Sequence, residues 1–474
     1  MRRLHLEDRR DKRVASPLYV HAWTPSGFRC AGELELDEDG DRDVSAVFRY
    51  DQKYLADPAA YALDPLNMPL LASSFATDSA NVVLGAIFDA APDAWGRRVV
   101  RAAMDARTSA AAGRDRYGLY GNAFLRGADG IGALVLTPDP HTDLDAIVAL
   151  SLAERPRLSQ LEAAARAARQ LERDGQVDDD LRDLLAGSWT IGGARPKAIL
   201  MDDRPGAAPG SSVIVKFARA DDPLPRACLE YATLRMAQDI GMATPRHDLL
   251  DVQGEPTLVI ERFDRRWPAE HSSPPATLAP ASALRRHYLS AMSLVSAQPR
   301  SRLLDTRFDE LTFSWTKLME IASRVCAHPA QARVEMFARL ALNAAVGNTD
   351  DHLKNFGFLR TMTAPGVGHY EIAPVFDVSP QASPTHYLHC HGLGREYTLS
   401  DVIAQSRRLG VAQAAAAEIE DRIRSVLQRA DEYLDEAGLT AAQRATARRW
   451  IERGTGPLGQ APRSIDRTTN APRA

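Results

Sequence analysis

Asn348-Thr349-Asp350-Asp351-His352-Leu353-Lys354-Asn355 sets a carboxylate, Asp350, and an amide, Asn355, on either side of four residues. This is the D-x-x-x-x-N spacing of a kinase catalytic loop, where the Asp takes the proton of a substrate hydroxyl and the Asn carbonyl ligates Mg²⁺. Asp351 is a rival base by adjacency, but its spacing to Asn355 is one residue short. By itself the octet also reads as a solvated turn, because Asp and Asn are common in loops. Downstream, Ala373-Pro374-Val375-Phe376-Asp377-Val378 places one carboxylate after a short apolar run, where a kinase keeps its second metal ligand.

The upstream segments come in the order such a site needs. Ser188-Trp189-Thr190-Ile191-Gly192-Gly193-Ala194-Arg195-Pro196-Lys197 is a small-residue loop ending in a cation. Adjacent glycines let backbone N–H groups approach phosphate oxygens, although the same residues suit an ordinary β-turn. Ser211-Ser212-Val213-Ile214-Val215-Lys216-Phe217 reads as a buried strand whose single Lys needs an anionic partner. Glu230, near the start of an amphipathic segment closed by Gly241, fits that need, with a surface Glu as the alternative. Pro256-Thr257-Leu258-Val259-Ile260-Glu261-Arg262-Phe263-Asp264-Arg265 is a second apolar strand running into charge. In a two-lobed kinase such a strand leads to a hinge whose backbone, here Glu261 to Phe263, bonds adenine, with a plain buried strand as the alternative.

Taken together, the Gly192–Lys197, Val213–Lys216, Glu261–Arg265, Asn348–Asn355 and Phe376-Asp377 motifs resemble the HipA family of bacterial serine/threonine kinases, the toxin halves of type II toxin–antitoxin systems. The resemblance covers about residues 17 to 430, since Leu18-Tyr19-Val20-His21 and Phe48-Arg49-Tyr50-Asp51 look like that family's N-terminal subdomain. It implies Asp350 as the catalytic residue, with Asn355 and Asp377 on Mg²⁺. The nucleotide, ATP, would meet Gly192, Gly193, Ala194, Arg195 and Lys197 of the phosphate loop and also Lys216. Glu261 and Phe263 would line the adenine pocket, with His352, Lys354 and Phe376 completing the nucleotide site. Family members switch themselves off by autophosphorylating the start of the phosphate loop. The aligned residue here is Thr190 rather than the Ser of the best-known member, and Ser188 lies nearby. A protein substrate in translation, typically an aminoacyl-tRNA synthetase, and a helix-turn-helix antitoxin partner are also implied.

Composition narrows the alternatives. With 62 acidic against 58 basic residues, the net charge of −4 argues against a chain that coats nucleic acid alone. DNA contact is expected only indirectly, through the antitoxin. Cys30, Cys228, Cys326 and Cys390 are scattered without a C-x-x-C pair, which fits a reducing cytoplasm and no disulfide framework. Met1 to Arg13 is charged with no apolar run behind it, and no 18-residue apolar stretch suggests a membrane span. His386, His389, Cys390 and His391 could tempt a zinc reading. On a strand, though, His389 and His391 would share a face with Tyr387 and Cys390 would point away.

The expected fold is α+β: a bilobal protein-kinase-like fold with a mixed α/β N-terminal lobe and a mainly helical C-terminal lobe. Residues 1–16 read as a flexible arm, 17–135 as an N-terminal subdomain and 136–265 as the nucleotide lobe with its phosphate loop. Residues 266–454 read as the helical lobe and 455–474 as a disordered tail, with an exposed loop at Pro268–Pro280. One Ala/Arg-rich helix is expected around Leu144–Gly175, a buried helix at Val334–Val346, and closing helices at Glu418–Glu436 and Thr440–Glu452. The functional expectation is γ-phosphoryl transfer from ATP to Ser or Thr. A small-molecule kinase and a catalytically silent scaffold in a repressor complex are the alternatives.

Overall fold

The computed structural model describes residues 17–39, 43–77, 84–91, 93–108, 130–185, 193–219, 221–266, 284–295, 310–361 and 369–455. The expected arm, the Pro268–Pro280 loop, Ser188, Thr190, Gly192 and residues 456–474 lie outside them.

Alternating apolar residues build the first sheet. Strands β1 (Leu18–Thr24), β2 (Gly27–Asp39), β3 (Asp43–Tyr50), β4 (Ser74–Ala76) and β5 (Leu134–Thr137) assemble in the order β4-β3-β2-β1-β5, each pair antiparallel. Val20, Ala22, Leu34, Leu36 and Phe48 point into a core that is continuous with Trp315, Phe337 and Leu340 of the helical lobe. The N-terminal region is therefore welded to the rest. The expected boundary at residue 135 falls inside β5, because the polypeptide returns to pair with β1 before leaving the sheet.

A second sheet carries the site. Strands β6 (Lys197–Met201), β7 (Ser212–Lys216), β8 (His247–Val252) and β9 (Glu255–Glu261) form the order β6-β7-β9-β8. Strands β6, β7 and β9 read as largely buried apolar runs, whereas the edge strand β8, with His247, Asp248 and Asp251, is mostly half-buried. Ala198, Leu200, Val213, Val215 and Val259 meet the Leu161–Asp174 helix. Leu258 and Ile260 meet Leu229 and Leu234 of the Arg226–Ile240 helix, which Gly241 ends in the left-handed conformation.

The single helix expected over Leu144–Gly175 is instead two, Leu144–Ala153 and Leu161–Asp174, the second preceded by a 3₁₀ turn at Leu158–Gln160. Pro156 explains the break, since its ring cannot continue a helix and its carbonyl instead accepts Met201 N–H at 2.7 Å.

Short strands β10 (Arg265–Arg266) and β11 (Leu284–Arg285) pair across the expected 265/266 boundary. Between the lobes, β12 (Tyr288–Ser290), β13 (Gly357–Arg360) and β14 (Tyr370–Ile372) form a three-stranded sheet. The helical lobe centres on Pro329–Val346, which starts five residues earlier than expected because Pro329 suits the first helical turn. From Met336 to Val346 every residue of it is buried. The helix expected at Glu418–Glu436 is split into Gln413–Leu427 and Ala430–Glu436, and the last helix runs Ala441–Thr455, one residue into the expected tail. Gly454 in that helix lies so close to the Pro329–Val346 backbone that an added Cβ would meet Ala344 O at 1.9 Å. The molecule is thus the expected α+β bilobal fold.

Candidate active site

Lys197 and Lys216 are direct partners across β6 and β7, so two like charges face each other on one side of the sheet. Such a pair is unfavourable alone. Two carboxylates offset it. Lys216 Nζ donates to Glu230 at 2.7 and 3.0 Å, and it also bonds Asp377. The backbone N–H of Asp377 donates to Glu230 Oε1 at 3.0 Å, with Asp377 at φ +51°, a conformation that non-glycine residues seldom adopt. Burial pushes the Glu230 carboxyl up. Burial would likewise raise Asp377 and lower Lys216, but their mutual attraction outweighs it and holds both charged. Lys197 is fully buried, and desolvation pulls its ammonium down to about 8. Lys197 also helps to hold the Asp377 carboxyl low.

The catalytic-loop octet springs from the end of the buried helix, where Gly347 at φ +69° reverses the backbone. Asn348 bonds Asn343, and Thr349 Oγ1 donates to Ser383 O at 3.1 Å. The 3₁₀ turn Leu353–Asn355 then folds the loop back, so that Asn355 Nδ2 donates to Asp350 O at 2.8 Å. This closure gives the D-x-x-x-x-N spacing its geometry. Asp350 itself is exposed, while Asp351 is fully buried. Asp351 accepts from Tyr387 N at 2.7 Å, Trp315 Nε1 at 3.1 Å, and Leu388 N and Tyr397 OH at 3.2 Å, with His386 Nδ1 also 3.2 Å away. A carboxylate so occupied serves as an anchor, and of the two only Asp350 faces solvent. His386 stacks on Tyr397 with ring centroids 4.0 Å apart. His389 and Cys390 sit in isolated bridges and not in a strand.

The Gly193–Lys197 segment reaches the same place. Gly193 adopts φ +99°, and an added Cβ would meet Lys197 Nζ at 2.6 Å, so its backbone lies directly over that ammonium. Ala194 is exposed, and Arg195 pairs with Asp222 at 2.7 Å within the field of Asp350 and Asp377. Asp93, which no local pattern singles out in the sequence, accepts Gly193 N–H at 2.7 Å and bonds Lys354.

At the far end, Phe263 lies 5.4 Å from Phe376 and 6.3 Å from Tyr288 by ring centroids, joined by Ile131, Leu359 and Ala373. Glu261 N–H is committed to Arg246 O at 2.8 Å and Arg262 N–H to Ser212 O at 3.4 Å. Of Glu261, Arg262 and Phe263, the last alone shows no backbone N–H bond among the described residues. The charged half of that motif turns inward. Asp264 binds Arg262 at 2.7 Å, Arg265 at 2.6 Å and Gly132 N–H at 2.7 Å, all buried. The two guanidinium groups also cap Gly130 O and Gly132 O.

Asn355 and Asp377 offer hard oxygen donors of the kind Mg²⁺ takes, and the Asn355 carbonyl has no other partner among the described residues. No set of three or more His, Cys, Asp or Glu groups converges there among the described residues. A divalent ion would draw the rest of its shell from phosphate oxygens and water.

Comparisons with known proteins identify the family. The serine/threonine-protein kinase toxin HipA of Shewanella oneidensis is 29% identical over 140 residues, 28% of this chain and 30% of that protein. The Y4mE protein of Sinorhizobium fredii is 25% identical over 180 residues, 37% of this chain and 38% of its own. The matched stretches thus span well under half the length of these curated relatives. A chain in the complex of Shewanella oneidensis HipA, HipB and operator DNA superposes with a TM-score of 0.56, covering 92% of this chain and 95% of its own. At 16% identity that likeness is one of fold. The HipA-like C-terminal domain matches residues 189–433, just over half of the sequence and including every charged group of the site except Asp93. On that match, the chain belongs to the HipA family.

Proposed function

We propose that this chain is a kinase that moves the γ-phosphoryl group of ATP to a serine or threonine hydroxyl of a protein. The observation that carries the reading is the convergence of Lys197, Lys216, Glu230 and Asp377 beside the Asp350–Asn355 loop. Phosphoryl transfer needs positioning and charge neutralisation more than covalent help. Lys216 and Lys197 offset phosphate charge, with the Gly193 backbone as lid and the Phe263/Phe376 pair as an apolar wall for the base. Asp350 aligns the hydroxyl and takes its proton as the new O–P bond forms and the bond to the departing ADP breaks. Mg²⁺ held by Asn355 and Asp377 would neutralise charge on the phosphate oxygens.

The family supplies the wider setting. We infer a cytoplasmic toxin that acts on a protein of translation such as an aminoacyl-tRNA synthetase. It would silence itself at Thr190 or Ser188, be neutralised by a helix-turn-helix antitoxin, and reach DNA only through that partner. No helix among the described residues is long and apolar enough to cross a membrane.

The test is transfer of labelled γ-phosphate from Mg·ATP by purified protein, beside Asp350→Ala, with the modified residue mapped. Loss of Asp350 should cost about 10²- to 10⁴-fold in rate with nucleotide binding retained. Equal labelling by the two proteins would sink the assignment. Label appearing only on a low-mass product would favour a small-molecule kinase.

A further inference from the structure

Asp93 lies outside the matched 189–433 domain, yet its carboxylate touches both loops of the site. Oδ2 accepts the Gly193 N–H at 2.7 Å, and Oδ1 bonds the Lys354 ammonium. Two more bonds dock the helix Ala94–Thr108, which begins directly after Asp93, onto the Gly193–Lys197 segment. Trp95 N–H donates to Gly193 O at 3.3 Å, and the Trp95 indole donates to Lys197 O at 2.9 Å. Trp95 is fully buried, which fixes this docking.

Three consequences follow for the loops. Gly193 closes directly over Lys197 Nζ, where an added Cβ would come within 2.6 Å of it, and Asp93 holds the Gly193 backbone there through its N–H. Lys354 directly precedes Asn355, so the same carboxylate also fixes the end of the catalytic loop. The Asp93–Lys354 pair is partly exposed, at 20% and 43%, and would contribute little as an isolated surface bridge. Its value lies in joining two segments whose relative placement the chemistry requires.

We propose that Asp93 is a positioning residue that yokes the phosphate loop to the catalytic loop, making the N-terminal region part of the nucleoside triphosphate site. The choice of ligand rests on the kinase reading above, whereas the yoke is a property of the loops themselves.

Two measurements on the full chain separate those claims. Hydrogen exchange of the peptide containing Gly193 should quicken by about tenfold or more in Asp93→Ala, the effect of removing a hydrogen bond to a charged acceptor. This readout needs no activity, so it judges the yoke even if no phosphoryl transfer is found. Where transfer is measurable, the KM for Mg·ATP should rise by about ten- to a hundredfold, since the phosphates lose a preformed cradle. A merely structural role would lower the active fraction and kcat at constant KM. Asp93→Asn keeps an acceptor for Gly193 N–H but loses the charge facing Lys354. It should show near-wild-type exchange with an intermediate KM, and it decides the matter if the Ala variant does not fold. Unchanged exchange and KM in both variants would overturn the proposal. So would a lowered KM, which would mean that Asp93 merely competes with phosphate.

Discussion

Two clusters of buried charge, one within the nucleotide lobe and one reaching from it to Asp377 of the helical lobe, have opposite characters. In the Arg262–Asp264–Arg265 cluster every side chain is at most 4% exposed, and the guanidinium groups spend their other donors on the carbonyls of Gly130 and Gly132. It is sealed. In the Lys197–Lys216–Glu230–Asp377 cluster, Asp377 is 37% exposed and sits at a positive φ that the bond to Glu230 maintains. That cluster is open, and its local strain is of the kind found at functional sites. The same residue types thus serve adhesion in one place and, on the function proposed above, ligand binding in the other. Access, not charge, separates the two.

The contrast is broken most strongly at Asp264. Asp264→Ala leaves two buried guanidinium groups without their anion and should cost about 3–5 kcal/mol, read by denaturant unfolding. The carboxyl is held below its ordinary value, because Arg262 and Arg265 outweigh the cost of burial. Its contribution is therefore full above pH 3.8, the unfolded value, and lost as pH falls below it. At the open cluster, Asp377→Asn should instead lower phosphoryl transfer by about a hundredfold, about 2.7 kcal/mol in the barrier, with unfolding changed by less than half as much. Equal losses of stability at the two sites would erase the distinction.

The same opposition exists within one dipeptide. Asp351→Asn replaces an acceptor-only group facing several donors and should cost about 1–3 kcal/mol of stability. Asp350→Asn should leave the melting temperature nearly unchanged.

The smallest effect belongs to Lys197, half-charged near pH 8 in the free protein. Between about 8 and the ordinary 10.5 the unfolded chain holds this proton and the folded chain does not, so folding stability rises with pH there. Nucleotide affinity should move the other way, falling by up to about tenfold per pH unit above 8. Calorimetric titration at pH 7, 8 and 9 would show it, and Lys197→Met should flatten the profile.

Much of this was legible in the sequence because the signals are local. The apolar runs of β7 and β9, Gly241 after its helix and the Asp350–Asn355 spacing each need only neighbouring residues. The pairing of Lys216 with Glu230 follows from a buried cation needing an anion. What escaped was either non-local or a matter of burial. Nothing near Asp93 announces that it meets Gly193, a hundred positions on. Asp350 and Asp351 are chemically identical until one is enclosed. Arg262, Asp264 and Arg265 look like solvent-facing charge, because the carbonyls that receive them come from residues 130–132. Pro156 was a readable break, and a long Ala-rich pattern on either side concealed it.

The contact between Gly454 and Ala344 adds a mechanical tolerance to this chemistry. The buried helix delivers Asp350 only three residues beyond its Gly347 reversal, and Trp450 O stands 2.7 Å from where a side chain at 347 would begin. The last helix is therefore a shim, clamping the root of the catalytic loop to a thickness that one methyl group would exceed. A residue with no charge thereby sets how steadily Asp350, the proposed base, is held.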